Sequence, residues 1–351
     1  MLATAYDTDN PMPEMMYQAV ERLDIEVRRG TLRAALQRRY PLQYRPVVHL
    51  HWIGHLFRHE SALSSVLLSL RYIALLSSAK VRRFKIVWTL HNDVSHGSRH
   101  GRIERVVRAV LVRWLTDGII AMTQESATMF AARYGNKLAK KVHVVPHPGY
   151  RSFYGPALSK AEARRRFGLG DTGPLFLFFG QVREYKDVGG LEEAFKHLEC
   201  DSARLILAGA CDPEDTVAIH AAAVEDERIL VHLERVPDDD VADLVSACDW
   251  VVLPYREASN SGVLLLALSY ERPVVAPAIP TLIEVLGPDL AAACYRRDEP
   301  DALRRALAAA CDGSREQALW EQRAAARGSE FPIDDCAEAL AGVYATVASR
   351  R

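Results

Sequence analysis

The strongest constraint on the fold is an alternation of short apolar runs with longer amphipathic segments. The short runs are rich in β-branched residues and predict strands, and the segments between them have helical spacing. Strands that alternate with helices in this way form parallel sheets covered on both faces. The predicted strands lie at 2–6, 24–27, 46–51, 85–90, 118–122 and 142–146, and again at 174–179, 204–208, 229–232, 250–254, 273–277 and 292–295.

Six predicted strands on each side of residue 150 indicate that one fold type is built twice. A chain of 351 residues with 49% apolar residues can fill two cores. Proline and glycine interrupt the pattern at 147–152, which places a boundary there. We therefore predict an α/β protein with Rossmann-like domains at 1–150 and 151–330, and a last amphipathic helix at 334–348 within residues 331–351.

Charge is distributed unequally between these halves. Residues 1–150 contain 22 Lys and Arg against 11 Asp and Glu, whereas the remainder contains 22 against 34, and the whole chain sums to −1. A basic half could face anionic lipid, nucleic acid or an anionic acceptor, although solvated helix faces alone would also produce it. The near-neutral total and the lack of interleaved aromatic and basic residues argue against nucleic acid.

Compartment and metal content are suggested by what the sequence lacks. The start of the chain has no basic region followed by an apolar one, and no apolar run reaches the roughly 18 residues of a membrane span. No two cysteines have CxxC spacing, so neither a zinc site nor a disulfide framework is indicated. We predict a cytoplasmic protein with reduced cysteines, namely Cys200, Cys211, Cys248, Cys294, Cys311 and Cys336.

A GxGxxG match at residues 168–173 resembles a dinucleotide fingerprint but has the wrong context. That motif functions after a strand and at the start of a helix, where backbone amides contact the pyrophosphate. Here it precedes the predicted strand 174–179, and no acidic residue ends a strand about 20 positions later. We interpret it as a surface turn, which removes the main support for a nicotinamide enzyme.

Two loops carry the clearest chemical signals. In the first, a buried strand ends at Gly180 and two cations follow, Arg183 and Lys186. Ligands of open parallel sheets lie beyond the carboxyl ends of the strands, so both cations could neutralise a diphosphate. In the second loop, Ser261, Gly262 and Val263 would open a helix, where amides and the helix dipole favour an anion. Solvated basic residues and an ordinary N-cap are the alternatives.

The two loops together resemble a known family. The pairing of FGQVREYKD with LPYREASNSGVLLLALSYERPVVAP is similar to the donor-binding half of GT-B glycosyltransferases, in particular retaining family 4 and its glycogen-synthase-like relatives. KIVWTLHN at 85–92 resembles their acceptor-side strand, and KVHVVPHPGY at 141–150 resembles their closing strand. The resemblance extends over residues 46–290, with the four segments in order.

The resemblance implies a fold, an activity and a set of site residues. Two domains would face each other across a cleft, and the C-terminal helix would cross back to the first. A sugar would move from a nucleotide-diphosphate sugar to an acceptor hydroxyl, without metal or cofactor. Arg183 and Lys186 would hold the diphosphate with the amides of 261–263, and His91 would lie beside the transferred sugar.

Departures from the family pattern concern the second loop. Members carry two glutamates eight positions apart, and these positions correspond to Ala258 and Leu266. Glu257, one position away, could substitute for the first, and nothing substitutes for the second. The glycine expected before the final strand is Glu271. These differences leave ribose recognition without a predicted residue.

Acceptor-side candidates follow the strands of the first half. His49, His51, His55 and His59 form a cluster, but no Asp or Cys completes a metal site, so His51 and Trp52 are better interpreted as lining the acceptor cleft. Four polar residues are predicted to face the same cleft: Asp9, Asn10, Asn92 and Asp93. An inverting mechanism would need a base, for which Asp9, Asp93 and His91 are candidates. A retaining front-face mechanism needs none, and the resemblance favours retention.

The apolar segment 61–84 ends with Lys80, Arg82 and Arg83. It could lie on an anionic membrane surface, which would suit a lipid-linked acceptor and a peripheral location on the inner membrane face. An ordinary core-facing helix with a basic end is the alternative. Two other functions remain open: a nucleotide-sugar 2-epimerase, and a non-catalytic scaffold that binds nucleotide-sugar within a polysaccharide assembly system.

Overall fold

The structure is a computed structural model that describes residues 2–3, 10–37, 40, 46–91, 98–170, 173–313 and 316–349. It divides into two compact units. Unit 1 comprises Met1–Pro148 and Ile333–Arg351, and unit 2 comprises Gly149–Pro332. Both are parallel α/β structures, as the alternating pattern predicts.

Unit 1 contains a six-stranded sheet in which every described pairing is parallel. Its strand order is β2, β1, β3, β4, β5, β6. The strands are β1 Leu2–Ala3, β2 Arg28–Arg29, β3 Val47–Leu50, β4 Lys85–Thr89, β5 Gly118–Ala121 and β6 Val142–Val144. The helices are α1 Met12–Glu21, α2 Leu32–Leu36, α3 Ala62–Val81, α4 Gly101–Val110, α5 Gln124–Tyr134 and α6 Asn136–Ala139, with a 3-10 turn at Gly54–Phe57 and a π-helical turn at Leu111–Leu115.

Unit 2 contains a five-stranded parallel sheet in the order β11, β10, β7, β8, β9. The strands are β7 Leu175–Phe179, β8 Arg204–Ala208, β9 Ile229–His232, β10 Trp250–Val252 and β11 Val274–Val275. The helices are α7 Arg151–Tyr154, α8 Lys160–Arg166, α9 Val188–Lys196, α10 Pro213–Glu225, α11 Asp238–Ala247, α12 Gly262–Ser269, α13 Pro280–Ala291, α14 Ala302–Cys311 and α15 Gln317–Gly328, with a 3-10 turn at Glu184–Lys186.

Strand order brings particular chain segments together in each unit. In unit 1, β3 lies between β1 and β4, so the residues that follow β3 and β4 are neighbours. In unit 2, β7 lies between β10 and β8, so the loop after β7 lies beside the loop after β10. Strand order reverses between β10 and β7 in unit 2 and between β1 and β3 in unit 1. Open α/β sheets bind ligands at such a reversal.

The last helix, α16 Ile333–Ser349, belongs to unit 1 although it follows unit 2 in sequence. It packs against α1, and Arg22 pairs with Asp334 at 2.5 Å between the nitrogen and oxygen atoms. Its buried face includes Cys336, Leu340, Val343 and Tyr344. The helix therefore contributes side chains to the core of the first unit.

Three predicted elements differ from the structure. The strand expected at 24–27 forms later, at β2, because Asp24 adopts a left-handed conformation (φ 58°) that ends the preceding helical turn. The strand expected at 292–295 is reduced to one bridge between Pro277 and Tyr295. By length and composition α3 could cross a membrane, contrary to the expectation from apolar run length, because its polar residues are mostly uncharged serines.

The GxGxxG segment joins the end of α8 to the start of β7, and its residues 171 and 172 lie outside the described part. Gly168 and Gly173 both have positive φ, 65° and 90°. A Cβ on Gly173 would lie 2.0 Å from the carbonyl oxygen of Ser202. The glycines therefore serve a tight connection before a strand.

Candidate functional site

Three of the predicted donor-binding residues meet at the carboxyl end of β7. Gly180 follows the strand with φ 96°, a conformation that favours glycine. A Cβ placed on Gly180 would lie 3.3 Å from Lys186 Nζ and 3.6 Å from Val263 Cγ2. The structure therefore brings the first loop and the start of α12 to one point, as β7–β10 pairing requires.

Lys186 is a buried cation beside this point. The residue is 7% exposed, and its ammonium lies 5.6 Å from the ring centre of Phe178 and 5.8 Å from that of Tyr255. Burial, aided by the nearby charge of Arg183, lowers the pKa of Lys186 to about 8. In the described part of the chain, no carboxylate forms an ion pair with it. A buried charge without a counter-ion is costly, and an anionic ligand would relieve that cost.

Arg183 does have a counter-ion. Its guanidinium donates a hydrogen bond to the carboxylate of Asp212, which follows β8. The side chain of Arg183 is 33% exposed and that of Asp212 is 52% exposed, so water screens the pair. Arg183 would have to leave Asp212, or share it, in order to hold a phosphate.

The start of α12 has the geometry of an anion site. The Ser261 hydroxyl is the N-cap and accepts a hydrogen bond from Leu264 N at 3.2 Å. Gly262 and Val263 are the first helical residues, and the first amides of a helix have no partner within it. The cap, the open amides and the helix dipole suit a phosphate oxygen at this end.

A cluster that the sequence did not reveal fixes these loops. Asp187 has a left-handed backbone (φ 51°) and accepts hydrogen bonds from Arg256 at 2.8 Å and Arg297 at 2.7 Å. Arg297 also donates to the carbonyl of Pro254 at 2.8 Å. Although burial acts in the opposite direction, the two arginines lower the pKa of Asp187. No motif pointed to this cluster, since Arg297 is 110 residues from Asp187.

The residues that depart from the family pattern have clear environments. Glu257 is exposed, whereas Leu266, at the second glutamate position, is 4% exposed within the core. The Ala258 carbonyl accepts a hydrogen bond from Thr281 Oγ1 at 2.6 Å. Glu271 has φ 63°, which explains why glycine is expected there. Burial is the main reason that the pKa of Tyr185, the residue before Lys186, is raised, and the charge of Glu257 adds to this effect.

In unit 1, a buried network of aromatic and hydroxyl side chains follows β3 and β4. His91 Nε2 lies 2.9 Å from His51 Nδ1, and His51 Nε2 lies 2.5 Å from the Tyr17 hydroxyl. His49 Nδ1 lies 2.7 Å from the Tyr344 hydroxyl and 3.2 Å from that of Tyr17. The network ends at Thr89 Oγ1, 2.7 Å from His49 Nε2.

His91 and its neighbours are held as neutral imidazoles. Burial lowers the pKa of His51 to about 3 and that of His147 to about 4, and it places those of His49 and His91 well below their usual range. Trp52 stacks on His91, with ring centres 3.9 Å apart and an angle of 19°. The structure thus brings together three predicted residues, His51, Trp52 and His91.

Of the other acceptor-side candidates, Asn10 lies within the described residues, and it does not hydrogen-bond to this network. Asn10 Oδ1 accepts a hydrogen bond at 3.0 Å from the backbone amide of Met12, the first residue of α1. Asp9, Asn92 and Asp93 lie outside the described residues. His55 and His59 are exposed. In the described residues, no three His, Cys, Asp or Glu side chains are grouped so that they could hold a metal ion.

Sequence reasoning missed Tyr17, His147 and Tyr344, which come from α1, the segment after β6 and α16. Tyr17 and His147 line a small cavity with His49, His51 and Thr89, and its remaining walls are apolar. Tyr344 lies 295 residues from its partner His49. No local pattern could have joined them, because only the return of α16 to unit 1 makes them neighbours.

Comparison with known proteins identifies the class. The family described as Glycosyl transferases group 1 matches residues 173–312. GDP-mannose:glycolipid 4-beta-D-mannosyltransferase of Xanthomonas campestris pv. campestris is 31% identical over 269 residues, which cover 76% of this chain and 70% of that protein. D-inositol 3-phosphate glycosyltransferase of Xylanimonas cellulosilytica is 33% identical over 70% of this chain and 61% of its own length.

Solved structures show the same architecture. The Anabaena protein HepE in complex with UDP and glucose superposes with a TM-score of 0.72 at 15% identity, covering 98% of this chain and 99% of that one. WaaG, a glycosyltransferase involved in lipopolysaccharide biosynthesis, superposes with a TM-score of 0.71 and the same identity and coverage. The chain belongs to the GT-B glycosyltransferases of the family 4 type. It is a hexosyltransferase, as predicted from its two donor-half loops.

Proposed function

We propose that this protein transfers a hexose from a nucleoside-diphosphate sugar to a hydroxyl of a glycolipid or glycan acceptor. Unit 2 binds the donor, and the more basic unit 1 binds the acceptor. The observation that carries the proposal is Lys186, a buried cation that lies beside Gly180 and the start of α12 and has no described carboxylate partner.

The leaving diphosphate is the group that these residues suit. Lys186 supplies a charge in a site of low polarity, where electrostatic stabilisation is strongest. Arg183 can add two parallel hydrogen bonds once it leaves Asp212, and the amides of Gly262 and Val263 add two more donors. We propose that these groups replace a metal ion in neutralising the diphosphate, so that no cofactor is needed.

The donor proposed first is a GDP-hexose. The Xanthomonas relative is named for GDP-mannose, and HepE was solved with UDP and with UDP-glucose. Of these two proteins, the Xanthomonas relative is 31% identical to this chain and HepE is 15% identical. A thermal-shift panel therefore compares GDP-mannose with UDP-glucose, and ADP-glucose and a dTDP-sugar are included as further nucleotide classes.

Stereochemistry is open to a direct test. The family resemblance implies retention, in which the leaving phosphate takes the acceptor proton. The Xanthomonas relative is named for a β-linked product, and a β product from an α-linked donor requires inversion and a base. NMR of the product anomer decides between them. If the anomer were inverted, a base would be required, and the candidate bases would be tested next with Asp9→Asn, Asp93→Asn and a substitution of His91.

An apolar stripe on unit 1 supports a membrane-bound acceptor. On α3 the side chains of Leu63, Leu67 and Leu70 are 67%, 58% and 58% exposed, and Trp114 after α4 is 67% exposed. In the first half of the same helix the buried residues are Ser65 and Ser69, so the leucines there are exposed while the serines are buried. An exposed patch of this kind indicates an interaction site.

Basic residues accompany this stripe. Exposed arginines occur on α3, on α4 and in the turn after each, namely Arg71, Arg82, Arg83, Arg102, Arg105 and Arg113. Within residues 61–91 and 98–115 the one acidic residue is Glu104, which is buried beside Arg108. We propose that this surface lies on anionic lipid at the cytoplasmic face of a membrane, with α3 parallel to the surface.

Vesicle sedimentation tests the membrane contact. Wild type is expected to sediment with phosphatidylglycerol vesicles and to remain in solution with phosphatidylcholine alone. Leu67→Glu should abolish sedimentation, whereas Val224→Glu should not, because Val224 is 87% exposed on α10 of unit 2. Equal binding by both variants would contradict the proposal.

The central test measures donor binding and turnover in one series. Wild type should be stabilised by one class of nucleotide-sugar and should release the nucleoside diphosphate when a lipid-linked acceptor is added. Arg183→Ala should lose roughly 2–4 kcal/mol of transition-state stabilisation. Full turnover by this variant, with a confirmed donor, would overturn the assignment of the site.

A scaffold function has one specific observation in its favour, the replacement of both family glutamates by Ala258 and Leu266. A scaffold would bind the nucleotide-sugar and release no diphosphate with any acceptor. An epimerase would convert the donor sugar with no acceptor present. Chromatography of the donor after incubation with and without acceptor separates both from a transferase.

A further inference from the structure

The carboxylate of Asp187 does not cap its own helix. Asp187 is the N-cap of α9, a position at which an aspartate usually accepts hydrogen bonds from the amides of that helix. Here its side chain makes no such bond, and it accepts hydrogen bonds from Arg256 at 2.8 Å and from Arg297 at 2.7 Å. The carboxylate therefore joins the loop after β7 to two arginines that are distant in sequence.

Arg297 extends this connection to the backbone of the loop after β10. Its Nη2 atom donates to Asp187, and its Nη1 atom donates to the carbonyls of Pro254 at 2.8 Å and Tyr255 at 3.3 Å. A guanidinium has its donors in a fixed fork, so the direction of one donor determines that of the others. Asp187 thus orients Arg297, and Arg297 holds the backbone at 254–255.

Arg256 connects the same two loops a second time. Its backbone amide donates to the carbonyl of Tyr185 at 2.7 Å, and its side chain donates to Asp187. Two guanidinium groups therefore lie within hydrogen-bonding distance of one carboxylate. Without that negative charge, Arg256 and Arg297 would repel each other, and the two loops would separate.

Tyr255 carries the effect to the proposed phosphate site. It is 2% exposed, and its ring centre lies 5.8 Å from Lys186 Nζ. Its hydroxyl forms a hydrogen bond with the side chain of Ser261, the N-cap of α12. The position of Tyr255 therefore sets the surroundings of Lys186 and of the start of α12 together.

We propose that Asp187 is a positioning residue for the donor diphosphate. Through its two arginines it holds Tyr255 where Lys186 and the start of α12 bind the same anion. This inference rests on the proposed function for the identity of the ligand. The carboxylate itself would repel an anion, so its contribution comes from the geometry that it imposes and not from contact with the diphosphate.

Hydrogen exchange tests the connection between the loops without any ligand. Asp187→Asn keeps the shape of the side chain and tolerates the left-handed backbone (φ 51°), but it removes the negative charge. We expect the amide of Arg256 to exchange about tenfold faster in this variant, while the amides of β8 exchange as in wild type. Mass spectrometry of peptides that cover each segment measures both rates. An unchanged rate at Arg256 would overturn the inference.

Calorimetric titration with GDP and with UDP tests the effect on binding. Asp187→Asn should bind the nucleoside diphosphate about tenfold more weakly than wild type. Asp298→Asn is the matched control and should bind as wild type does, since it removes an exposed ion pair with Arg296, the neighbour of Arg297 in sequence. Loss of a negative charge alone would strengthen the binding of an anion, so the sign of the change separates the two effects. Equal or tighter binding by Asp187→Asn would contradict the positioning role.

The pH dependence of binding is a readout that a general loss of stability would not change. Burial, aided by the charge of Arg183, lowers the pKa of Lys186 to about 8. If Tyr255 moves away, water reaches the ammonium and its pKa rises toward the ordinary value. Affinity should therefore persist to higher pH in Asp187→Asn than in wild type. Neither facing group loses a proton between pH 7 and pH 9, because arginine stays protonated and burial raises the pKa of Tyr255. Weaker binding with the wild-type pH profile would contradict the inference.

These measurements separate the inference from the proposed function. If wild type bound neither GDP nor UDP, the proposed function would fail, and exchange at Arg256 would still decide whether Asp187 holds the loops together. If exchange at Arg256 increased while the affinity for GDP or UDP stayed at the wild-type value, Asp187 would hold the loops without a role in donor binding, and the inference would be wrong.

Discussion

The two units have the same sheet architecture, yet the carboxyl ends of their central strands differ in chemistry. Unit 2 places the cation of Lys186 beside the open amides of α12. Unit 1 places neutral rings and hydroxyls there, and these side chains hydrogen-bond to one another. A buried cation without a described carboxylate partner is costly and would be relieved by an anionic ligand, whereas a neutral network satisfies its own hydrogen bonds. This difference is the reason why the proposed function assigns the diphosphate to unit 2 and the acceptor hydroxyl to unit 1.

Removal of the unpaired charge is the strongest test of this difference. Lys186→Met should lower kcat/KM about 10²–10³-fold, the usual effect of losing one preorganised electrostatic group. It should also raise the free energy of unfolding, because the buried cation has no described carboxylate partner. Steady-state kinetics and urea unfolding measure both. Lys196→Met on α9 is the control. A similar loss of kcat/KM in both variants would contradict the role of Lys186 in the reaction.

The pH dependence of donor binding tests whether the charge of Lys186 distinguishes unit 2 from unit 1. The pKa of free Lys186 is about 8, and a bound diphosphate should raise it. Affinity is therefore full below pH 8 and falls as the pH rises through this value, about tenfold from pH 7 to pH 9. Calorimetric titration of the nucleoside diphosphate at both pH values measures the change. If the affinity of Lys186→Met for the nucleoside diphosphate changed with pH as much as that of wild type, a group other than Lys186 would cause the pH dependence.

Acid should destabilise unit 1 selectively. His49, His51, His91 and His147 have folded pKa values below the unfolded value, so their contribution is present above about pH 6.5 and is lost as the pH falls. Between pH 7 and 5.5 we expect a loss of roughly 1 kcal/mol for each of them.

The histidines of unit 2 provide the control for this experiment, since His197, His220 and His232 are all exposed. Urea unfolding at the two pH values should show a smaller acid effect in His147→Asn and an unchanged one in His232→Asn. If both variants kept the wild-type pH dependence, the burial of His147 would not determine it.

The smallest expected effect concerns the ion pair in unit 2. Asp212→Asn removes the counter-ion of Arg183, so the affinity for a nucleoside diphosphate should rise roughly threefold, since an exposed pair contributes less than 1 kcal/mol. Asp298→Asn, which disrupts an exposed pair with Arg296, should have no effect on binding. A weaker affinity in Asp212→Asn would show that Asp212 positions Arg183 instead of competing for it.

Much of the fold and half of the site followed from local sequence. Strands 204–208 and 229–232 were predicted to the residue, because their apolar runs are bounded by turns. Gly180, Lys186 and Val263 were grouped correctly, since loops that follow neighbouring parallel strands must converge. The role of Glu257 stays a prediction: its side chain is exposed, and sequence position alone does not determine the direction of a loop side chain.

The sequence by itself determined the repeated α/β architecture, the position of the donor loops and the family, because each depends on patterns within a few residues. Only the tertiary structure decided that Asp187 holds Arg256 and Arg297, that Lys186 is buried, and that Tyr17 and Tyr344 join the histidines after β3 and β4. These contacts join residues 32 to 295 positions apart. Packing of whole elements fixes such pairs, and no local spacing records it.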